Sequence, residues 1–161
     1  AAAPGQALPD LPSPVLVARD SRSANGPVQG LAAGLDALPG GTEFVYVGAV
    51  DAPFVSAAWL AYLGERIGGR DVALPIAEGS PQPLCALYRL APLARATASI
   101  LSRGERRFGA ILRELSALFL TVDEIQLHLS GPPPWLNVNT PEDYQLALRR
   151  LPEEPGNHSN S

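Results

Sequence analysis

The sequence predicts one doubly wound α/β domain built on a mainly parallel sheet, with helices on both faces. Three observations lead there. Phe44 to Val50 is an uncharged run rich in aromatic and β-branched residues, the pattern of a strand buried on both faces. Asp71 to Ala77 reads as a second buried strand, and strand-like runs alternate with helix-like ones along the chain. The helix-like runs also carry their own start signals, Ser56 and Thr140 among them.

The rest is organised around Phe44 to Phe54, FVYVGAVDAPF. The strand ends at Asp51, and Pro53 forbids its simple continuation. An aspartate at the carboxyl end of a buried strand stands where open α/β sheets bind ligands. A lone carboxylate there can hold a hard cation, and the cation can hold phosphates. An ordinary strand-ending turn uses the same residue types.

Length and composition bound the remaining classes. A chain of 161 residues, 46% hydrophobic and 17% charged, suits one globular domain with a real core. The net charge is −4 and no basic run exceeds two residues, so nucleic acid is not an expected partner. One cysteine, Cys85, gives no disulfide framework and no thiolate metal cluster, which fits a reducing cytoplasm. Two histidines, His128 and His158, leave little for triad or His-metal chemistry. Phe44 to Leu63 is apolar enough to invite a membrane reading, but Asp51 and Pro53 interrupt it. The start, AAAPGQALPDLPSP, lacks the basic end and apolar centre of a signal peptide. There is no methionine and no lysine, and since a native chain begins with methionine unless processed, the chain is expected either to be trimmed at its start or to omit residues there.

In order, residues 1–14 read as an irregular Ala- and Pro-rich segment, and Val15 to Ala18 as a short strand in the main sheet. Asn25-Gly26 signals a turn and Pro27 the first helical position. Val28, Leu31, Leu35 and Leu38 then follow at helical spacing. Gly30 and Gly34 cost that helix about 1 kcal/mol each against Ala. Close approach of a ligand or a neighbouring strand to the backbone explains them, and a tight helix-on-sheet contact explains them equally well. A helix from Ser56 to Arg66 follows the central strand. Beyond the strand Asp71 to Ala77, Glu78 to Pro81 reads as a loop and Leu84 to Tyr88 as a strand. Pro92 to Ser102 and Phe108 to Leu115 read as helices, and Leu118 to Val122 and Ile125 to Leu129 as strands. Gly131 to Pro134 is a rigid break. Thr140, Pro141 and Asp143 then open a last helix with an N-cap, a first-turn proline and a capping box. The domain is expected over residues 15–151, with residues 152–161 as a disordered tail.

Three separated motifs share one pattern: Gly26-Pro27-Val28-Gln29-Gly30-Leu31, Val50-Asp51-Ala52-Pro53-Phe54, and Asn137-Val138-Asn139-Thr140-Pro141-Glu142-Asp143. Together they resemble the molybdenum cofactor guanylyltransferases, over about Val15 to Leu151. The resemblance implies a Rossmann-like nucleotidyltransferase of the cytoplasm that joins GMP from GTP to molybdopterin. It implies Mg²⁺ on Asp51 and the nucleotide near Asp20, Gly26 and Gly30. It also implies Asn137 and Asn139 at the reacting phosphates or the pterin side, and Arg106 and Arg107 at a phosphate. From the residues alone, a polar strand end feeding a well-capped helix is the better reading of the two asparagines, and solvated surface is at least as good a reading of the two arginines. The expected partners are GTP, molybdopterin and proteins of molybdenum cofactor synthesis or delivery. Asn-Val-Asn and Gln82-Pro83 favour the guanylyl branch over the related cytidylyltransferases, which are similar but tend to carry Asp-x-Asp and His-Pro there.

The resemblance breaks at its start. The family opens with a strand and a glycine-rich loop that cradles the triphosphate, followed by a lysine. Nothing in this chain matches them, so the N-terminal part of the fold is expected to be missing. The absent strand belongs beside Phe44 to Val50. Val15 to Ala18 is therefore expected either to close the gap or to leave it open for an upstream segment or a partner chain. Two other readings stand beside the guanylyltransferase: a nucleotidyltransferase for another phosphorylated acceptor, and a non-catalytic homologue that serves as a binding module.

Overall fold

The computed structural model describes residues 2, 5–11, 15–19 and 26–150. Helix α1 (Pro27–Asp36) precedes strand β1 (Phe44–Gly48) and helix α2 (Ala57–Arg66). Strands β2 (Val72–Ala77), β3 (Ser80–Pro81) and β4 (Cys85–Arg89) follow, then helices α3 (Leu90–Ser102) and α4 (Gly109–Leu112). Strand β5 (Ala117–Thr121), α5 (Val122–Gln126) and α6 (Pro141–Arg150) complete the described order.

The strands form one sheet in the order β1-β4-β2-β3, with β5 on the other side of β2. Side-chain alternation divides the core between its two faces. Val72, Leu74, Ala86 and Tyr88 point to one face and pack with Leu93, Ile100 and Ile111 of α3 and α4 and with Val28 of α1. Ala73, Cys85 and Leu120 point to the other and pack with Trp59 and Leu63 of α2 and with Ile125 of α5. Helices thus cover both faces, as the alternation of elements predicts.

The pairing differs from expectation. β2 and β5 run parallel, but β1 with β4, β2 with β4 and β2 with β3 are antiparallel. The cause is a tight reversal at Glu78-Gly79, where both residues take positive φ, 52° and 72°. Such a reversal returns the chain alongside β2 and sends β4 back antiparallel. What reads as a loop from Glu78 to Pro81 is therefore a hairpin.

Val15 to Ala18 forms no strand of this sheet: the Ala18 carbonyl accepts from the Ala2 N–H, next to a parallel bridge between Ala2 and Arg19. Val15, Leu16 and Val17 are exposed, so the run lacks the burial that would hold it in the sheet. β1 stops at Gly48, and Val50 beyond it is fully exposed. β1 is only half-buried, because one of its edges has no strand beside it among the described residues. Ile125 to Leu129 is not a strand either, since Ile125 lies in α5. The Thr121 hydroxyl accepts from the Glu124 N–H while Glu124 accepts from the Thr121 N–H, a capping box that starts a helix. The expected helix from Phe108 to Leu115 shortens to α4. Residues 152–161 lie outside the described residues. No helix among the described residues is long and apolar enough to cross a membrane.

Candidate functional site at the carboxyl end of the first strand

The ladder with β4 persists to Ala49, whose N–H donates to the Leu84 carbonyl at 2.9 Å. A turn follows, with the Ala52 N–H donating to the Ala49 carbonyl at 3.3 Å. Ala52 and Phe54 bury their side chains on either side of Pro53, and Ser56 caps α2 by accepting from the Trp59 N–H at 3.2 Å. Asp51 is held half-buried in this turn, between the end of a sheet strand and the start of a helix.

A distant segment docks on that turn. The Val138 N–H donates to the Asp51 carbonyl at 2.8 Å, which places Asn137 and Asn139 on either side of the contact. The segment is fixed in turn by α6. The Asp143 carboxylate accepts from the N–H groups of Asn139 at 3.2 Å and Thr140 at 3.0 Å. The Thr140 hydroxyl accepts from the Asp143 N–H at 3.0 Å, completing the predicted box. The Thr140 side chain first, then these two backbone donors, hold the Asp143 carboxyl below the usual carboxylate range. A hollow of about 270 Å³ lies at this junction, lined by Asp51, Pro53, Phe54, Val138, Tyr144 and Leu148 among others.

The glycines gather at a neighbouring surface. Gly26 takes φ 81°, a conformation that favours glycine, and lies in ordinary contact with the distant Arg106: a Cβ at Gly26 would lie 3.6 Å from both its Cβ and its carbonyl oxygen. Gly26 and Gly30 line an open groove of about 590 Å³ whose far wall includes Gly48, three residues before Asp51. Arg106 and Arg107 are exposed beside it, in the loop before α4. Asp20 lies outside the described residues. The structure therefore brings Asp51 together with Asn137 and Asn139, and Gly26 together with Gly30 and Arg106. Both groups flank the end of β1.

The donor set at Asp51 is hard oxygen. Among the described residues no group of three or more His, Cys, Asp or Glu gathers as a metal cage. A single carboxylate still fits Mg²⁺, which takes its other ligands from phosphates and water. Tyr144 and Leu148 line the Asp51 hollow without having been singled out in the sequence. Both lie on α6 and remain exposed there, so only the packing of that helix against the Asp51 turn brings them to the hollow.

With the geometry established, comparison with known proteins places the chain. The family described as "MobA-like NTP transferase domain" matches residues 2–118. A probable molybdenum cofactor guanylyltransferase of Natronomonas pharaonis is 35% identical over 126 residues, 78% of this chain and 61% of the relative. Its counterpart in Mycobacterium tuberculosis is 34% identical over 158 residues, 96% of this chain and 71% of the relative. Molybdopterin-guanine dinucleotide biosynthesis protein A of Archaeoglobus fulgidus superposes with a TM-score of 0.60 at 26% identity, covering 80% of this chain and 64% of that one. The chain thus spans 61% to 71% of the length of these relatives. On the strength of the family match, the chain belongs to the MobA-like NTP transferase domain family.

Proposed function

We propose that this domain transfers GMP from GTP to molybdopterin and releases pyrophosphate, in the cytoplasm, with Mg²⁺ held by Asp51. The observation that carries the reading is the Val138 N–H to Asp51 carbonyl bond. It joins a carboxylate suited to a hard cation to two carboxamides suited to phosphate oxygens, at the end of a sheet strand. Relatives named as guanylyltransferases support the choice of nucleotide and acceptor.

In the reaction, an oxygen of the molybdopterin phosphate forms a bond to the α-phosphorus of GTP. The bond from that phosphorus to the bridging oxygen of pyrophosphate breaks. Magnesium supplies neutralising charge for the phosphates. Asp51 orients that charge at the strand end, and Asn137 and Asn139 donate amide hydrogens to the phosphate oxygens. Gly26 and Gly30 let the nucleotide lie close to the backbone, and Arg106 and Arg107 offer forked donors at the rim. Positioning and fixed dipoles do the work, with no general base required of the scarce histidines.

The test is a transfer assay with α-labelled GTP, Mg²⁺ and molybdopterin. The expected result is a labelled guanine dinucleotide and pyrophosphate, with CTP a poor donor at equal concentration. Preference for CTP, transfer to another acceptor instead, or no transfer at millimolar GTP would overturn the reading.

A further inference from the structure

The segment that carries Asn137 and Asn139 to Asp51 is held from both ends. Behind it, the Thr140-Asp143 box ties it to α6. Ahead of it stands Trp135, two positions before Asn137. The Trp135 ring meets Trp59 of α2 edge-on, with centroids 6.3 Å apart and planes at 67°. Edge-on contact is a preferred arrangement of aromatic pairs, because the positive rim of one ring faces the negative face of the other.

Trp59 is the fixed partner. It is fully buried and packs with Leu63, Ala73, Cys85 and Leu120. Its backbone N–H donates to the Ser56 hydroxyl at 3.2 Å, at the cap that ends the Asp51 turn. Trp135 is placed differently. It is half-buried, at the margin of the same cluster. A hollow of about 200 Å³ separates Ser130 to Pro134 from the start of α2. Phe54 lines both this hollow and the one at Asp51. Trp135 thus spans a gap that a smaller side chain would leave open.

The chain on either side is stiff. Pro132, Pro133 and Pro134 fix their own φ angles, and the Leu136 N–H donates to the Pro133 carbonyl at 3.0 Å. Two residues span at most about 7 Å, so a displacement of Trp135 passes to Asn137 with little slack to absorb it.

We propose that Trp135, seated edge-on against Trp59, is a positioning residue that fixes Asn137 and Asn139 at the end of β1. It acts through the two carboxamides and through the Val138 N–H on the Asp51 carbonyl. Its kinetic consequence rests on the guanylyl-transfer reading, and its geometric consequence does not. A misplacement of about 1 Å at such a site can cost on the order of 100-fold in rate.

Amide exchange and transfer kinetics on Trp135→Ala, Trp135→Leu and Trp135→Phe test this. Trp135→Leu keeps apolar cover at the margin of the core, so it serves where Trp135→Ala fails to fold. In either variant the Val138 amide should exchange about tenfold faster while the β2 amides stay protected. Trp135→Phe, which keeps a ring for Trp59 to meet, should restore slow exchange. In the transfer assay, kcat should fall about tenfold in the Leu and Ala variants with the KM for GTP unchanged, and Phe should recover most of it. Slow Val138 exchange in the Leu variant would overturn the proposal, because the segment would be held without the ring. Loosening of β2 together with Val138 would overturn it too, by making Trp135 a part of the core. Equal loosening by Trp135→Phe would remove the edge-on contact as the cause. The predicted exchange pattern in a chain that transfers no GMP would overturn the transfer reading and uphold the seating of the two asparagines by Trp135.

Discussion

The backbone N–H of Val138 donates to the carbonyl of Asp51 across 87 positions of sequence, at 2.8 Å. Asn137 and Asn139 reach the end of β1 through this contact, and the α6 cap holds them there. Removing the cap should therefore loosen the site before it unfolds the domain. Thr140→Ala loses the hydroxyl that accepts from the Asp143 N–H, at a cost of about 1 kcal/mol, typical of an N-cap. The amides of Val138 and Asn139 should then exchange faster, while those of β2 stay protected. Unchanged exchange at Val138 would show that the segment is held by something other than the cap.

The same cap sets a pH dependence. The Asp143 carboxyl is depressed in the folded chain by the Thr140 side chain and two backbone donors. A depressed carboxyl contributes stability that is fully present above its unfolded value, about 3.9, and is lost as pH falls through the lower folded value. The Asn139 and Thr140 amide resonances should hold steady from neutral pH down to that range and shift together below it. An Asp143→Asn variant should show no such step. A transition of these amides near neutral pH would contradict the assignment.

Burial sets the value of a second polar contact. The fully buried Tyr88 donates its hydroxyl to the Pro83 carbonyl at 2.7 Å, pinning the loop that leads into β4. Burial also pushes the Tyr88 hydroxyl well above the ordinary tyrosine range, so it stays protonated and remains a donor. Tyr88→Phe keeps the ring and removes that donor. It should cost about 1 kcal/mol in denaturant unfolding with an unchanged slope. A neutral effect would mean that the loop finds an equivalent partner.

Much of this architecture was legible, because the relevant signals are local. The uncharged run at Phe44, the Ser56 cap and the Thr140-Asp143 box each announced an element that the structure contains. Strand direction was not legible. β4 has the same apolar pattern whichever way it runs, and the deciding feature was the positive φ of Glu78 before Gly79. Val15 to Ala18 failed because four apolar residues meet strand composition without finding burial. Ile125 looked strand-like by composition, although Thr121 and Glu124 already spelled a helix start. At the site, the aspartate and asparagines stood out as motifs. Tyr144 and Leu148 did not, because their place beside Asp51 depends on how α6 packs.

Affinity for the nucleotide follows from charge. The chain contains no lysine, and Arg106 and Arg107, beside the glycine groove among the described residues, are exposed. A triphosphate would therefore meet screened charges. Calorimetry with Mg²⁺ and GTP should give a Kd in the millimolar range, about 4 kcal/mol of binding free energy. Micromolar binding would show a triphosphate cradle beyond the residues described.

The central claim is that Asp51 serves the transfer and not the fold. Asp51 meets Val138 through its backbone carbonyl, so Asp51→Asn leaves that bond in place. The variant should melt cooperatively at the wild-type temperature and keep the Val138 amide resonance. Its Mg²⁺-dependent transfer of GMP to molybdopterin should fall on the order of 100-fold, the scale seen when a group that stabilises transition-state charge is removed. Wild-type turnover by a folded Asp51→Asn chain would contradict the account.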